Sequence, residues 1–217
     1  EMMSGYADAI VIRHKDSGSA QRAADVANIP VINGGDGGNE HPTQMVIDLY
    51  TVYEKFGTLS GIKVVVGIDP LHSRAIRSFL LGLSQYKNNT AYVLSTKKLK
   101  LSTDLHKELI KNGLKIVEIY TEKDIPSDAN VWYWNRLQKE RFSSEKEYLT
   151  ERKKFIITPK LLELKGNKKL IILDPLPRVE EITNQVDADP RAWYFNQARN
   201  GIFTRMGAGE RRLQTRR

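Results

Sequence analysis

Short apolar runs that alternate with segments of helical spacing constrain the fold of this chain more than any other feature. The runs Ala9-Ile-Val-Ile12, Pro30-Val-Ile-Asn33, Lys63-Val-Val-Val-Gly67, Ala91-Tyr-Val-Leu94, Lys115 to Tyr120, Val131-Trp-Tyr-Trp134 and Leu170-Ile-Ile-Leu173 have the length and side chains of buried strands. Between them, Ser19 to Ala27, Pro42 to about Phe56, His72 to Tyr86, Asp104 to Lys111, Glu145 to Lys154 and Pro159 to Leu164 read as helices. In the second of these, Met45, Val46, Leu49, Val52, Tyr53 and Phe56 keep helical spacing, Pro42 suits the first helical position and His41 the N-cap. Asp189 to Arg205 is the expected last helix, with Asp189 as its cap and Pro190 in its first turn. Such alternation predicts an α/β fold, a parallel sheet carrying helices on both faces.

Composition narrows the chemistry. With 217 residues, 40% of them hydrophobic, the chain can bury one large or two small cores. It has no cysteine, so disulfides, thiolate catalysis and cysteine zinc sites are excluded, and the work falls to His, Arg, Lys, carboxylates and backbone. No apolar run approaches the roughly 18 residues of a membrane span, and no signal peptide opens the chain, which makes the cytoplasm the expected compartment. The net charge of +8 is concentrated at one end: residues 191–217 carry seven Arg against one Glu. The body is nearly neutral and has no basic stripe, and the Arg-rich tail lacks interleaved aromatics, so nucleic-acid binding through the tail is not the expectation. The end itself, GAGERRLQTRR, is polar and without apolar periodicity, so residues 207–217 are expected to form a disordered basic tail.

Doubly wound sheets bind ligands at the carboxyl ends of their strands. The polar groups there are Arg13-His14, the loop NGGDGGNEHPTQ at 33–44, Asp69-Pro-Leu-His-Ser-Arg74, Asn135-Arg-Leu-Gln-Lys-Glu-Arg141 and Asp174-Pro-Leu-Pro-Arg178. Most of these segments carry an arginine and none is a metal cluster, an inventory suited to anions. The glycines lack the spacing of a nucleotide loop, and by themselves indicate only a tight turn that lets backbone approach closely. His41 and Gln44 share the first helical turn, beside unpaired N–H groups and the positive end of the dipole. A neutral imidazole there can donate to a carbonyl oxygen as it gains negative charge; it can equally be a simple cap. Arg136 and Gln138, alternating on an extended segment, can hold a carboxylate or be plain surface groups. Leu176-Pro177, between two prolines, suggests a constrained turn, with a cis bond open to it.

In this order, the segments DAIVIRH, PVINGGDGGNEHPTQMVIDLYT, HSRAIRS, NRLQKERF, DPLPRVEEI and AWYFNQARNGIFTRM resemble the aspartate carbamoyltransferase family over residues 7 to 206. His-Pro-Thr-Gln together with Pro-Leu-Pro-Arg sets it apart from ornithine carbamoyltransferases, which have cysteine in both places. The resemblance implies transfer of a carbamoyl group from carbamoyl phosphate to L-aspartate, for pyrimidine synthesis, without metal or other cofactor. It implies His41 at the carbamoyl oxygen, Gln44 near the carbamoyl amino group, and Arg13 on both that oxygen and the phosphate. Arg74, Arg136 and Gln138 would hold the aspartate carboxylates, and the main-chain carbonyls of Leu176 and Pro177 would orient the nitrogens. The family works as a homotrimer with active sites between subunits, which regulatory chains can join.

The resemblance also implies an organisation. Residues 1–55 correspond to part of a carbamoyl-phosphate domain with an interdomain helix, 56–185 to an aspartate domain, and 186–206 to a helix returning to the first domain. Both domains are expected to be doubly wound and parallel, the first incomplete. The family's Ser-Thr-Arg-Thr phosphate loop and a lysine from a neighbouring subunit lie in a region preceding residue 1, and its apolar C-terminal helix is replaced here by the basic tail. Against the family pattern, Ala75 stands for a threonine, Asp174 for a histidine, and Arg199 for a smaller residue. A chain of this kind that only binds aspartate or a partner is the alternative expectation.

Overall fold

The computed structural model describes residues 1–139, 142–152 and 154–214, without the side chains of 211–214. Two parallel sheets make up the α/β architecture. The first pairs β1 (Ile10–His14) with β2 (Val31–Asp36) across α1 (Ser19–Val26). β2 runs past the expected end at Asn33 into the glycines, because its backbone stays paired with β1 as far as His14 and Asp36.

From there the chain enters α2 (Pro42–Phe56), which ends where Gly57 takes a left-handed conformation and closes the last turn onto the Tyr53 carbonyl. It then builds a five-stranded sheet from β3 (Lys63–Ile68), β4 (Thr90–Ser95), β5 (Lys115–Ile119), β6 (Val131–Trp134) and β7 (Ile171–Leu173). The order is β5-β4-β3-β6-β7, every pair parallel. The strand order reverses between β3 and β6, so the crevice between their carboxyl ends is the place where this topology binds ligands.

Alternation along the strands divides the core. Val64, Val66, Val131, Tyr133, Ile171 and Leu173 face α3 (Arg74–Leu83) and α4 (Thr103–Lys111). Val65, Trp132, Trp134 and Ile172 face the other way, towards α6 (Pro159–Lys165) and the loops around it. A short α5 (Glu145–Glu151) precedes α6. Helix starts follow side-chain capping: Ser73, Ser102, Ser144 and Thr158 each accept a hydrogen bond from the first turn of α3, α4, α5 and α6. The capping by Ser73 is why α3 begins at Arg74 and not at His72.

The last helix departs from expectation at both ends. α7 spans Tyr194–Gln214. Asp189 does not cap it: its carboxylate binds the backbone N–H of Arg191 at 2.9 Å and the Arg191 guanidinium at 2.8 Å. Residues 191–193 instead stay extended along β7, Ile172 N–H donating to the Arg191 carbonyl and Trp193 N–H to that of Ile172. A free strand edge thus outcompetes the proline signal. Residues 207–214, expected as part of a disordered tail, continue the helix: despite Gly207 and Gly209, the other six are good helix formers, and each adds to turns already nucleated. Residues 215–217 lie outside the described residues. Among the described residues no helix is long and apolar enough to cross a membrane.

Candidate active site

The glycine loop is built around Asp36. Its carboxylate accepts hydrogen bonds from Gly18 N–H (2.7 Å), Asn33 Nδ2 (2.9 Å), Asn39 Nδ2 (3.1 Å) and Glu40 N–H (3.2 Å). Burial works against its charge, but these donors outweigh it and hold the carboxyl down at about 2. Gly37 has φ +55, and a Cβ there would lie 2.7 Å from the Lys15 carbonyl oxygen, so no other residue fits. Gly35, at φ +118, leaves room for the Arg74 guanidinium, which donates to the Gly37 carbonyl at 2.8 Å.

This loop delivers His41 to the start of α2. The residue occupies the N-cap position without its side chain capping; its backbone N–H donates to Ser78 Oγ at 2.9 Å, and its Nδ1 lies 3.4 Å from Thr43 Oγ1. The imidazole opens onto a cleft of about 290 Å³ lined by Arg13, Thr43 and Arg205 as well as the apolar Val11 and Ile32. Burial, followed by the charges of Arg74, Arg13 and Arg205, lowers its pKa to about 4, leaving it neutral at physiological pH. A neutral imidazole among three cations is a hydrogen-bond donor in a site that favours negative charge.

Of the anticipated residues, Arg13, His41 and Arg74 come together here. Gln44 is not among the residues that line this cleft: it is buried, and its side-chain NH2 donates to Asp48 at 2.8 Å. Arg136 lines a separate narrow pocket with Arg152, Glu180 and Glu181, while Gln138 is half-buried on the same segment as the buried Leu137. Asn135 nonetheless donates to Ser73 Oγ, which ties the end of β6 to the residue before Arg74. The Leu176-Pro177 bond is cis, with Leu176 at φ +50 and its N–H bonded to Asp174 Oδ1 at 2.7 Å. Burial, then the neighbouring Glu181, pushes the Asp174 carboxyl up to about 8. Among the described residues no three His, Asp or Glu converge as metal ligands would.

Sequence reasoning passes over two features. Arg205 lies within the quoted segment GIFTRM, and although the resemblance returns this helix to the first domain, nothing in the local pattern assigns its side chain to the cleft with Arg13 and His41. Asp48, fully buried, accepts from Gln44 and from Gln197 Nε2 (2.6 Å) on one oxygen and from Tyr133 Oη (2.8 Å) on the other. Its only signal is a charged residue on the apolar face of α2.

Comparison with known proteins bears on the site as a whole. Residues 60–208 match the family described as aspartate/ornithine carbamoyltransferase, Asp/Orn binding domain, and residues 1–54 its carbamoyl-P binding domain. The chain is 43% identical over 205 residues to a chloroplastic aspartate carbamoyltransferase of Arabidopsis thaliana, covering 94% of this chain and 52% of that one. It is 42% identical to the aspartate carbamoyltransferase catalytic subunit of Hyperthermus butylicus, covering 94% of this chain and 65% of that one. Among solved structures, the catalytic subunit of M. jannaschii aspartate transcarbamoylase superposes with a TM-score of 0.91 at 38% identity, covering 99% of this chain and 69% of that one. The Trypanosoma cruzi aspartate transcarbamoylase in complex with carbamoyl phosphate and aspartate gives 0.85 at 32%, covering 94% and 67%. The chain thus spans about half the length of the plant relative.

Proposed function

The chain belongs to the aspartate/ornithine carbamoyltransferase family, and on that premise we propose that it transfers the carbamoyl group of carbamoyl phosphate to the amine of L-aspartate, a step of pyrimidine biosynthesis. The observation that carries the reading is the neutral His41 set among Arg13, Arg74 and Arg205. The aspartate amine attacks the carbamoyl carbon and forms the C–N bond. His41 donates to the oxygen that turns negative in the tetrahedral intermediate. The C–O bond to phosphate then breaks, and the proton lost by nitrogen leaves with the phosphate. Positioning and electrostatics supply the acceleration.

In this reading Arg13 binds carbamoyl oxygen and phosphate, and Gln44 serves the carbamoyl amino group. Arg74, Arg136 and Gln138 take the carboxylates of aspartate, and the carbonyls of Leu176 and Pro177 orient the nitrogens. Residues 1–55 form the carbamoyl-phosphate part, 56–185 the aspartate part, and 186–206 the returning helix. The exposed Val46, Tyr50 and Tyr53 along α2 support association, which the family resemblance sets at a homotrimer open to regulatory chains in the cytoplasm.

The test is formation of carbamoyl-aspartate, with ornithine as control amine and Arg136→Ala as control protein. Turnover with aspartate alone, lost in Arg136→Ala, is the expected result. A folded chain that binds aspartate without making product overturns it in favour of a binding role.

A further inference from the structure

We propose that Asp48 is the positioning residue that sets the carbamoyl half of the site in register with the aspartate half, an inference that rests on the reading above. Asp48 sits one helical turn after Gln44, on the same face of α2. Its carboxylate is fully buried and takes three donors from three segments.

Each donor leads to a different part of the site. Gln44 is the candidate group for the carbamoyl nitrogen, and with its amide N–H on Asp48, its side-chain carbonyl is turned away from that carboxylate. Tyr133, in β6, stands three residues before Arg136 and donates from its hydroxyl. Gln197, on α7, uses its N–H groups for Asp48 and its carbonyl to accept the backbone N–H of Asp174 at 2.9 Å, two residues before Leu176. One carboxylate therefore fixes which way two amides face and where two strand ends lie. An amide at position 48 can keep the two amide donors on its carbonyl oxygen only by turning its NH2 towards the Tyr133 hydroxyl, whose proton then loses its acceptor; turned the other way, it sets its N–H groups against those of Gln44 and Gln197.

The buried carboxylate is a costly way to hold helices together if that were its only task. The same two helices are already bridged one turn further on, where Asn200 Nδ2 donates to Thr51 Oγ1 at 3.1 Å and to Glu54 Oε2 at 2.7 Å. That second bridge reaches no site residue, and it provides the internal control. Burial raises the Asp48 carboxyl to about 6 against the pull of its donors, so at neutral pH the acceptor is mainly the carboxylate.

The experiment compares Asp48→Asn, Tyr133→Phe, Asn200→Ala and the double variant Asp48→Asn with Gln197→Glu, measuring kcat, KM for each substrate and the melting transition. For Asp48→Asn, kcat falls on the order of a hundredfold while a cooperative melt persists, as displacements of about 1 Å can cost that much. Tyr133→Phe, which loosens only the branch to Arg136, raises KM for aspartate severalfold and leaves KM for carbamoyl phosphate unchanged. Asn200→Ala lowers the melting temperature without altering kcat. In the double variant, the amide introduced at position 48 can donate to a carboxylate that still accepts from Asp174 N–H, so part of kcat returns. If Asp48→Asn and Tyr133→Phe keep wild-type kcat and KM, or if kcat merely tracks melting temperature across the set with Asn200→Ala included, the inference is overturned and the transferase reading stands. Should the wild-type chain not turn over, that reading fails. Positioning is then read from the side-chain amide resonances of Gln44 and Gln197, which move in Asp48→Asn if it holds and stay put if it does not.

Discussion

The two sheets of this molecule are made from similar sequence and end in different states. In the five-stranded sheet, β6 buries all four of its residues and β3 all but its first. In the two-stranded sheet, β1 buries none, and Val11 remains 69% exposed. The difference lies in neighbours: β3 and β6 have a strand on each side and cover on both faces, whereas β1 has one partner strand and α1. Apolar content sets what a strand can bury, and the partners set what it does bury. The candidate site follows the same division. The smaller sheet contributes Arg13 and the glycine loop, and the larger body supplies Ser78, which accepts from the His41 backbone N–H, and Arg74, which donates to the loop at Gly37.

Substitutions can sharpen or break that contrast. The largest effect is expected from Trp132→Ala, which empties a fully buried site in the larger sheet and should cost about 3–5 kcal/mol in denaturant unfolding. Next comes Gly37→Ala, where a left-handed backbone and a close carbonyl should cost about 1–3 kcal/mol and lower turnover by moving His41. Val11→Ala should stay within about 0.5 kcal/mol. If Val11→Ala proves as costly as Trp132→Ala, the two sheets are not unequal after all.

A smaller effect distinguishes the groups by pH. The folded His41 resists protonation down to about 4 while its unfolded form protonates near 6.5, so its contribution to stability is lost as pH falls through that window. Asp48 has the opposite sign. It keeps a proton in the folded state up to about 6 that the unfolded chain sheds near 3.8, so its contribution declines as pH rises between those values. Unfolding measured from pH 4 to 6.5 should therefore show His41→Asn losing less stability on acidification than the wild type. An identical pH slope in the two proteins would contradict the assignment for His41.

Much of this is legible in the sequence, and for identifiable reasons. The bounds of α2 can be read because Pro42 and Gly57 mark its ends and the apolar spacing between them is regular. The parallel sheets follow from strand–helix alternation, and Leu176-Pro177 is marked as a special turn by its flanking prolines. What escapes depends on contacts distant along the chain. Cap chemistry puts the start of α7 too early, because the edge of β7 holds 191–193 extended and a local signal cannot reveal an edge elsewhere. Helical geometry places Gln44 beside His41, but a partner four residues on draws its amide inward. Arg205 reaches the cleft because α7 packs along α2 and brings this side chain to the opening that Arg13 and His41 also line, a destination that no periodicity encodes.

The most direct measurement is the pH titration of the His41 imidazole by NMR, assigned among the four histidines with His41→Asn and repeated with carbamoyl phosphate present. The neutral form should persist from pH 8 down to about 5, with protonation only near 4, and the ring should respond to carbamoyl phosphate. A midpoint near the ordinary 6.5, unmoved by carbamoyl phosphate, would mean that His41 is an exposed cap and that the cleft is not the place of carbamoyl transfer.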